Sequence, residues 1–283
     1  MRSLLARFLA PLLFVATAMA DPVADLAKAM DRYPVVLLGE IHDNVHHHRL
    51  RAAALAHRIA AGWRPALVME QFDRERQPDI ERARQERPRD ADHLIAQATA
   101  NTGGAWLWAE YRPFVQLALD NDLPLLAGNV SRSELARVRQ AGLAALGTDQ
   151  VAALGLDRPL PADIRSGLEA EINRGHCYQA PRDLLPALAL NQAVRDAWMA
   201  YLVRQSAARG VVLVAGNGHV RKDIGVPRWL AGRLGQSVLA VGFLERGRDS
   251  VPGNAFDLSF DLPPTDRPDP CAAFGPPPAP ATS

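Results

Sequence analysis

The stretch Val35-Val36-Leu37-Leu38-Gly39-Glu40-Ile41-His42 decides how this chain folds. Its four consecutive apolar residues, two of them β-branched, predict a strand that is buried on both faces. The glycine after the strand lets the backbone turn sharply, and a carboxylate and an imidazole follow it. Polar groups directly after a buried strand are typical of the carboxyl edge of a parallel sheet, where ligands bind.

Apolar runs of the same kind recur along the chain and alternate with segments of helical spacing. The further predicted strands lie at 66–70, 124–128, 210–216 and 237–242, and the predicted helices lie at 44–61, 111–121 and 183–208. Strands that alternate with helices predict an α/β fold with a mostly parallel central sheet covered by helices on both faces.

Two segments depart from this alternation. Residues 133–175 contain several Gly and Pro breaks and predict a helical insertion. Residues 74–98 are dense in Arg, Asp and Glu, and we expect short, solvated and mobile helices there.

The first twenty residues have the pattern of a cleavable signal peptide. Arg2 and Arg7 precede an apolar run, and Ala18-Met19-Ala20 is a small-x-small cleavage site before Asp21. The apolar run is short for a membrane span of ~20 residues, and the residue directly after the cleavage site is Asp21 and not the cysteine that a lipid anchor needs. We therefore expect export to the periplasm, with neither a stable membrane span after cleavage nor a lipid anchor.

Composition narrows the class of protein further. The chain has 283 residues and a formal net charge of +1, which gives no reason to expect binding to nucleic acid. We divide it into a signal peptide (1–20), one α/β domain (21–262) and a Pro-rich tail (263–283) that we expect to be disordered apart from the region of Cys271. In an oxidising compartment Cys177 and Cys271 can pair, although two free thiols remain an alternative.

Three predicted strands end in polar residues that burial alone does not explain. Glu40 and His42 follow the first strand, Glu70 ends the second, and His219 follows the strand at 210–216. A parallel sheet brings these ends to one edge. Two carboxylates and two imidazoles there are the composition of a metal site or of a general acid/base site. The alternative is that the carboxylates cap helices and the histidines are satisfied core residues.

Four further residues are candidates for the same pocket. His46 lies four residues after His42 and is a possible ligand, although a solvated, His-rich first helical turn is the simpler interpretation. Asn129 and Arg132 leave the third strand at the same edge. Arg221 either meets an acidic ligand or pairs with Glu40 or Glu70, and the sequence does not decide between these.

These residues carry a resemblance to a known family. The chain resembles the ChaN-like haem-binding uptake proteins, which share a superfamily with the Tiki proteases and the erythromycin esterases. The matching stretches are LLGEIHDNVHHH (37–48), LVMEQF (67–72), GHCYQAP (175–181), NQAVRDAWMA (191–200) and GNGHVRKDIGVP (216–227).

The resemblance implies a ChaN-like α/β core and a role in bacterial haem and iron handling. The superfamily's paired Gly-x-x-His motifs and lone Glu correspond to His42, His219 and Glu70, with Glu40 inside the first motif. It implies haem as the cofactor, with His42, His46, Asn129, Arg132, His219 and Arg221 as candidates to bind it. In the Tiki and esterase branches the same positions imply hydrolysis.

Two hypotheses from different classes follow from the sequence. The first is a periplasmic haem-binding protein of haem and iron uptake. The second is a metal-dependent or acid/base hydrolase in which Glu40, His42, Glu70 and His219 hold a divalent metal ion or act on water. The sequence leaves the formation of a homodimer open.

Overall fold

The computed structural model describes residues 21–100, 106–232, 234, 237–249, 251–269 and 271–272. The predicted signal peptide (1–20) and the end of the predicted tail (273–283) lie outside the described residues. Among the described residues, no helix is both long and apolar enough to cross a membrane.

The described residues form one sheet of six parallel strands. The strands are β1 (Val35–Leu38), β2 (Ala66–Asp73), β3 (Leu125–Asn129), β4 (Val211–Val214), β5 (Val238–Glu245) and β6 (Leu258–Leu262). Their order across the sheet is β3-β2-β4-β1-β5-β6. All five pairings are parallel, so the predicted fold class is confirmed.

Helices cover both faces of this sheet. They are α1 (Pro22–Met30), α2 (Val45–Ala60), α3 (Gln77–Glu86), α4 (Ala91–Ala98), α5 (Trp108–Asp120), α6 (Arg132–Ala141), α7 (Thr148–Leu154), α8 (Ala162–Gly175), α9 (Leu185–Ser206), α10 (Asn217–Val220) and α11 (Val226–Leu230). Short 3-10 turns lie at Arg74–Arg76, Gly142–Leu146 and Ala207–Arg209.

The period-two geometry of strand β1 shows why its apolar run is continuous. Val36 and Leu38 belong to the core on the side of α1, α2 and α5, whereas Val35 and Leu37 belong to the core on the side of α9 and α11. Successive side chains of a strand point to opposite faces, so a strand with helices on both sides must be apolar at every position.

The predicted helical insertion is confirmed, and it packs against the long helix α9. Leu135 and Val138 of α6 join Val194 and Ala197 in one apolar cluster. Ile164 and Leu168 of α8 join Ala189 and Ala193 in another. The insertion therefore forms a layer over α9 at one side of the sheet.

Two expectations need correction. The segment 74–98 is not a set of solvated, mobile helices, because the inward faces of α3 and α4 are part of the main core. The buried residues there are Ile80, Ala83, Ala91, Leu94, Ile95 and Ala98. High charge on the outward faces concealed an apolar stripe at helical spacing.

The second correction concerns the tail. Thr265 N–H donates to Glu245 Oε1 at 2.8 Å, and Arg267 Nη2 donates to Glu245 Oε2 at 2.8 Å. Arg267 Nη1 also donates to Asp43 at 2.9 Å. The described residues 263–269 therefore have defined contacts, because the buried Glu245 carboxylate at the end of β5 needs hydrogen-bond donors. The sulfur atoms of Cys177 and Cys271 lie 2.03 Å apart, which is disulfide distance.

Candidate functional site

The carboxyl edge of the sheet opens into a cavity of about 1100 Å³. Glu40, His42, Glu70 and His219 all line it, as the strand-end argument predicted. Side chains from β1, β2 and β4 converge there because parallel strands end at the same edge.

Glu40 and His42 form the first of two carboxylate–imidazole pairs. Oε1 of Glu40 lies 2.7 Å from Nδ1 of His42 and accepts a hydrogen bond from the Tyr111 hydroxyl at 2.5 Å. Oε2 of Glu40 accepts from the guanidinium of Arg51, and both of these side chains are fully buried. Arg51 therefore offsets the Glu40 charge, a role that the sequence had offered to Arg221.

The His42 ring reaches into the cavity. Its side chain is 49% exposed, and its ring stands edge-on to Trp106 with ring centroids 4.9 Å apart. Because Nδ1 is held by Glu40, the opposite nitrogen, Nε2, is the one directed towards Gly216 and the cavity. The pair thus presents an oriented imidazole nitrogen to whatever occupies the cavity.

His219, Glu70 and Asp196 form the second cluster. Nδ1 of His219 lies 2.6 Å from Oδ1 of Asp196, and Nε2 lies 3.4 Å from Oε1 of Glu70. Glu70 also accepts a hydrogen bond from Gly216 N–H at 2.7 Å. Both ring nitrogens of His219 therefore face carboxylates, whereas His42 has only one nitrogen so engaged.

The charges in this second cluster depend on one another. Burial alone would lower the pKa of His219, but Glu70 and Asp196 raise it to about 10. Burial alone would raise the pKa of Glu70, but His219 holds it well below its ordinary value. Burial raises the pKa of Asp196 against the opposing effect of His219. At neutral pH His219 is therefore an imidazolium that offsets part of the negative charge of the buried carboxylates.

Two glycines allow these strand ends to approach one another. A Cβ atom on Gly39 would lie 2.2 Å from the side-chain oxygen of Asn217, which follows the neighbouring strand β4. A Cβ atom on Gly216 would lie 2.9 Å from Cε1 of His42. Both Gly-x-x-His motifs thus need glycine for space, which gives the repeated pattern a steric reason.

Of the further residues predicted for the pocket, three line the cavity and His46 does not. Asn129 and Arg132 line the cavity, and Asn129 donates to Asp73 at 2.7 Å. His46 is exposed in the first turn of α2 and is not among the described residues that line the cavity. The first turn is not wholly solvated, because the neighbouring His47 and His48 are buried.

Arg221 lines the cavity, and of the two alternatives that the sequence left open, the pairing with Glu40 or Glu70 is not formed. Arg221 donates to Glu171 at 2.9 Å and to Asp223 at 2.6 Å, and not to Glu40 or Glu70. Asp223 is only two residues along the chain, and Glu171 is on helix α8 of the insertion, which packs beside the cavity.

The divalent-metal prediction is not supported. Among the described residues, no group of three or more His, Cys, Asp or Glu side chains is arranged to hold a metal ion. Arg51 and His42 already engage the oxygens of Glu40, and His219 and Gly216 engage those of Glu70.

Sequence reasoning missed three residues of the site. Arg51 on α2 and Asp196 on α9 are buried charges in direct contact with the predicted cluster, and Arg195 beside Asp196 lines the cavity. The available signal was a pair of charged residues inside an otherwise apolar stretch of the helix at 183–208. Charges at core positions are rare unless they are paired.

Fold and site together define a class: an α/β protein with a charged, ligand-sized cavity at the carboxyl edge of a parallel sheet. A family described as haem-binding uptake, Tiki superfamily, ChaN, matches residues 26–230. The chain belongs to this family.

One solved structure confirms the fold. A structure described as cofacial heme binding to ChaN of Campylobacter jejuni is similar at 22% identity and a TM-score of 0.63, over 80% of this chain and 87% of that one. The type III effector HopBA1 is similar at 14% identity and a TM-score of 0.49, over 85% and 93%. The erythromycin esterase mutant EreC H289N is similar at 14% identity and 0.44, over 82% and 76%. The last two likenesses are too distant to bear on either fold or function. A comparison with curated proteins found no match.

Proposed function

We propose that this chain is a haem-binding protein that acts outside the cytoplasm, in the periplasm, as part of haem and iron uptake. Membership of a haem-binding uptake family supports the ligand. The cysteine pair Cys177–Cys271 supports an oxidising compartment. The observation that carries the proposal is the oriented, half-exposed imidazole of His42 in the wall of a cavity of about 1100 Å³.

The described residues fit a haem group in two respects. His42 offers an imidazole nitrogen that Glu40 orients through the opposite nitrogen, an arrangement common for imidazoles that bind metals. Apolar side chains line part of the cavity wall: Ile41, Trp106, Ile172, Leu244 and Val251. Bound haem would supply an iron atom, and the free imidazole nitrogen of His42 would hold it.

His219 is poorly suited to hold an iron atom, although the sequence made it a candidate to bind haem. Its two nitrogens face Asp196 and Glu70, and its raised pKa keeps it protonated at neutral pH. An imidazolium has no lone pair for a metal. We instead assign His219 a role in the cavity wall, where its positive charge offsets the negative charge of Glu70 and Asp196.

Haemin titration of the purified chain tests this proposal. We expect a Soret band on binding, and we expect His42→Ala to shift that band and weaken binding. His46→Ala is the matched control, because His46 is exposed four residues away and should bind like the parent. A parent that leaves the haemin spectrum unchanged would refute the proposal, and a His42→Ala variant identical to the parent would refute the assigned ligand.

A hydrolase remains a second candidate because of the same Glu40–His42 pair. An imidazole held by a buried carboxylate is suited to accept a proton from water. The family description names binding and not hydrolysis. Turnover of a set of model esters that is lost in His42→Ala would support this candidate, and the absence of turnover by the parent would count against it.

A further inference from the structure

A second cavity of about 440 Å³ adjoins the main one on the side of the helical insertion. It lies between α6, α8 and α9, and the two cavities share five lining residues: Arg132, Ile172, His176, Gln192 and Arg195. A ligand that fills the main cavity can therefore extend a substituent into the second one.

The second cavity differs from the main one in charge. Arg132, Arg139 and Arg195 line it, and none of its described lining residues is an Asp or a Glu. The main cavity, in contrast, includes several carboxylates in its wall, among them Glu40 and Glu70. The second cavity therefore has an excess of positive charge.

Three arginines that line only the main cavity each form an ion pair with a carboxylate. Arg76 pairs with Asp79 at 2.9 Å, Arg174 pairs with Glu171 at 2.5 Å, and Arg221 pairs with Glu171 at 2.9 Å. No described carboxylate lies within ion-pair distance, 4.0 Å, of Arg132, Arg139 or Arg195. Among the described arginines that line either cavity, these three are therefore the ones without a carboxylate partner.

Neutral amides hold two of the three guanidinium groups. Nε of Arg195 donates to Asn129 Oδ1 at 3.1 Å, and Nη1 of Arg195 donates to Gln192 Oε1. Nη1 of Arg139 donates to the Asn191 amide at 2.9 Å in the orientation that satisfies both ends of that amide. An amide fixes the direction of a guanidinium without cancelling its charge, so the charge stays available to a ligand.

The surroundings of Arg195 strengthen this point. Burial lowers the pKa of Arg195, and the more distant carboxylates of Glu70, Asp196 and Asp73 only partly offset that effect. A half-buried guanidinium without a contacting anion is costly, and a bound carboxylate would remove the cost.

We propose that the second cavity binds the carboxylate groups of a ligand whose apolar body lies in the main cavity. For the haem of the proposed function, on which this assignment rests for its ligand, these groups are the propionates. Leu135, Ile172 and Leu188 complete the wall and suit the alkyl part of such a side chain.

The test compares haemin with haemin dimethyl ester, in which both carboxylates are blocked. We expect the parent to bind haemin roughly 10–100-fold more tightly than the ester, the range for loss of charge-assisted hydrogen bonds. Arg195→Gln and the more exposed Arg139→Gln should each weaken haemin binding and leave ester binding unchanged. Arg137→Gln is the matched control, because Arg137 is on the same helix, pairs with Glu134 and lines neither cavity.

The outcomes separate this inference from the proposed function. Equal affinities for haemin and its ester, or variants that bind haemin like the parent, would overturn the carboxylate subsite while leaving haem binding intact. If the parent binds neither porphyrin, the proposed function fails and succinate alone tests the subsite. A rise in the melting temperature with succinate that Arg139→Gln abolishes would support it, and no rise would overturn it.

Discussion

Nδ1 of His219 lies 2.6 Å from Oδ1 of Asp196, a buried carboxylate in the middle of helix α9. Glu70 faces the other ring nitrogen. One imidazole, on the short helix α10 after β4, therefore contacts both strand β2 and helix α9, against which the insertion packs. The charge of that imidazole stabilises the wall of the cavity as well as the packing of α9 on the sheet.

The alkaline stability of the chain should depend on His219. Its folded pKa of about 10 exceeds the ordinary value of 6.5, so the folded chain keeps a proton that the unfolded chain releases. This stabilisation is complete below pH 6.5 and is lost as the pH rises towards 10. We expect the free energy of unfolding in urea to fall by on the order of 1 kcal/mol per pH unit between pH 7 and 9. An equal fall in His219→Gln would show that other groups are responsible.

Gly216 should be required for the position of His42. In Gly216→Ala the new Cβ atom would lie 2.9 Å from Cε1 and 3.2 Å from Nε2 of the His42 ring, so the ring must move. We expect haemin affinity to fall by roughly tenfold, equal to about 1.4 kcal/mol. Gly218→Ala is the control, because nothing lies within 4 Å of its new Cβ atom. Equal haemin affinities of the two variants would contradict the steric argument.

Acid should destabilise the chain through His47. Burial lowers the pKa of His47 to about 4, although Glu245 opposes the shift. Its Nδ1 accepts a hydrogen bond from Ile41 N–H, and its buried Nε2 has no partner among the described residues. Below pH 6.5 the unfolded chain binds a proton that the folded chain does not, so stability falls as the pH drops towards 4.

We expect protonation of His47 in the unfolded chain to lower the free energy of unfolding by about 2 kcal/mol between pH 7 and pH 5. Urea unfolding at both pH values measures it, and His47→Asn should lack this part of the loss. The exposed neighbour gives the control, because His46→Asn should behave like the parent. A His47→Asn variant as acid-sensitive as the parent would exclude His47 as the cause.

Pairing of Cys177 with Cys271 should stabilise the chain. The two residues are 94 positions apart, and the chain-entropy model gives about 4–5 kcal/mol for a loop of this length, usually less in practice. We expect thiol titration of the denatured, unreduced chain to find no free thiol. A Cys177→Ser, Cys271→Ser double variant should unfold at lower urea concentration. Two reactive thiols in the unreduced chain would refute the pairing.

Patterns within short stretches of the sequence were sufficient to predict the strands of the sheet core and four residues of the site. The apolar runs that end in Glu40, Glu70 and the two Gly-x-x-His motifs define both the strands and the edge at which they meet. Strand β6 was not predicted, because its edge position leaves alternate residues exposed and weakens the apolar signal. The charged helices α3 and α4 were misjudged for the same reason, since only one face of each is buried.

The sequence by itself determined the parallel sheet and the chemistry at its edge. A run of consecutive apolar residues identifies a buried strand, and the polar residues that follow it identify the end of that strand. Only the tertiary structure decided which charges meet. Arg51 contacts Glu40 and Asp196 contacts His219 because helices α2 and α9 pack beside the strand ends, at distances along the chain that local periodicity does not encode. The same packing leaves Arg195 among neutral amides and pairs Arg221 with Glu171. A charge's partner depends on how whole helices dock, and that is a property of the folded core rather than of any short stretch of sequence.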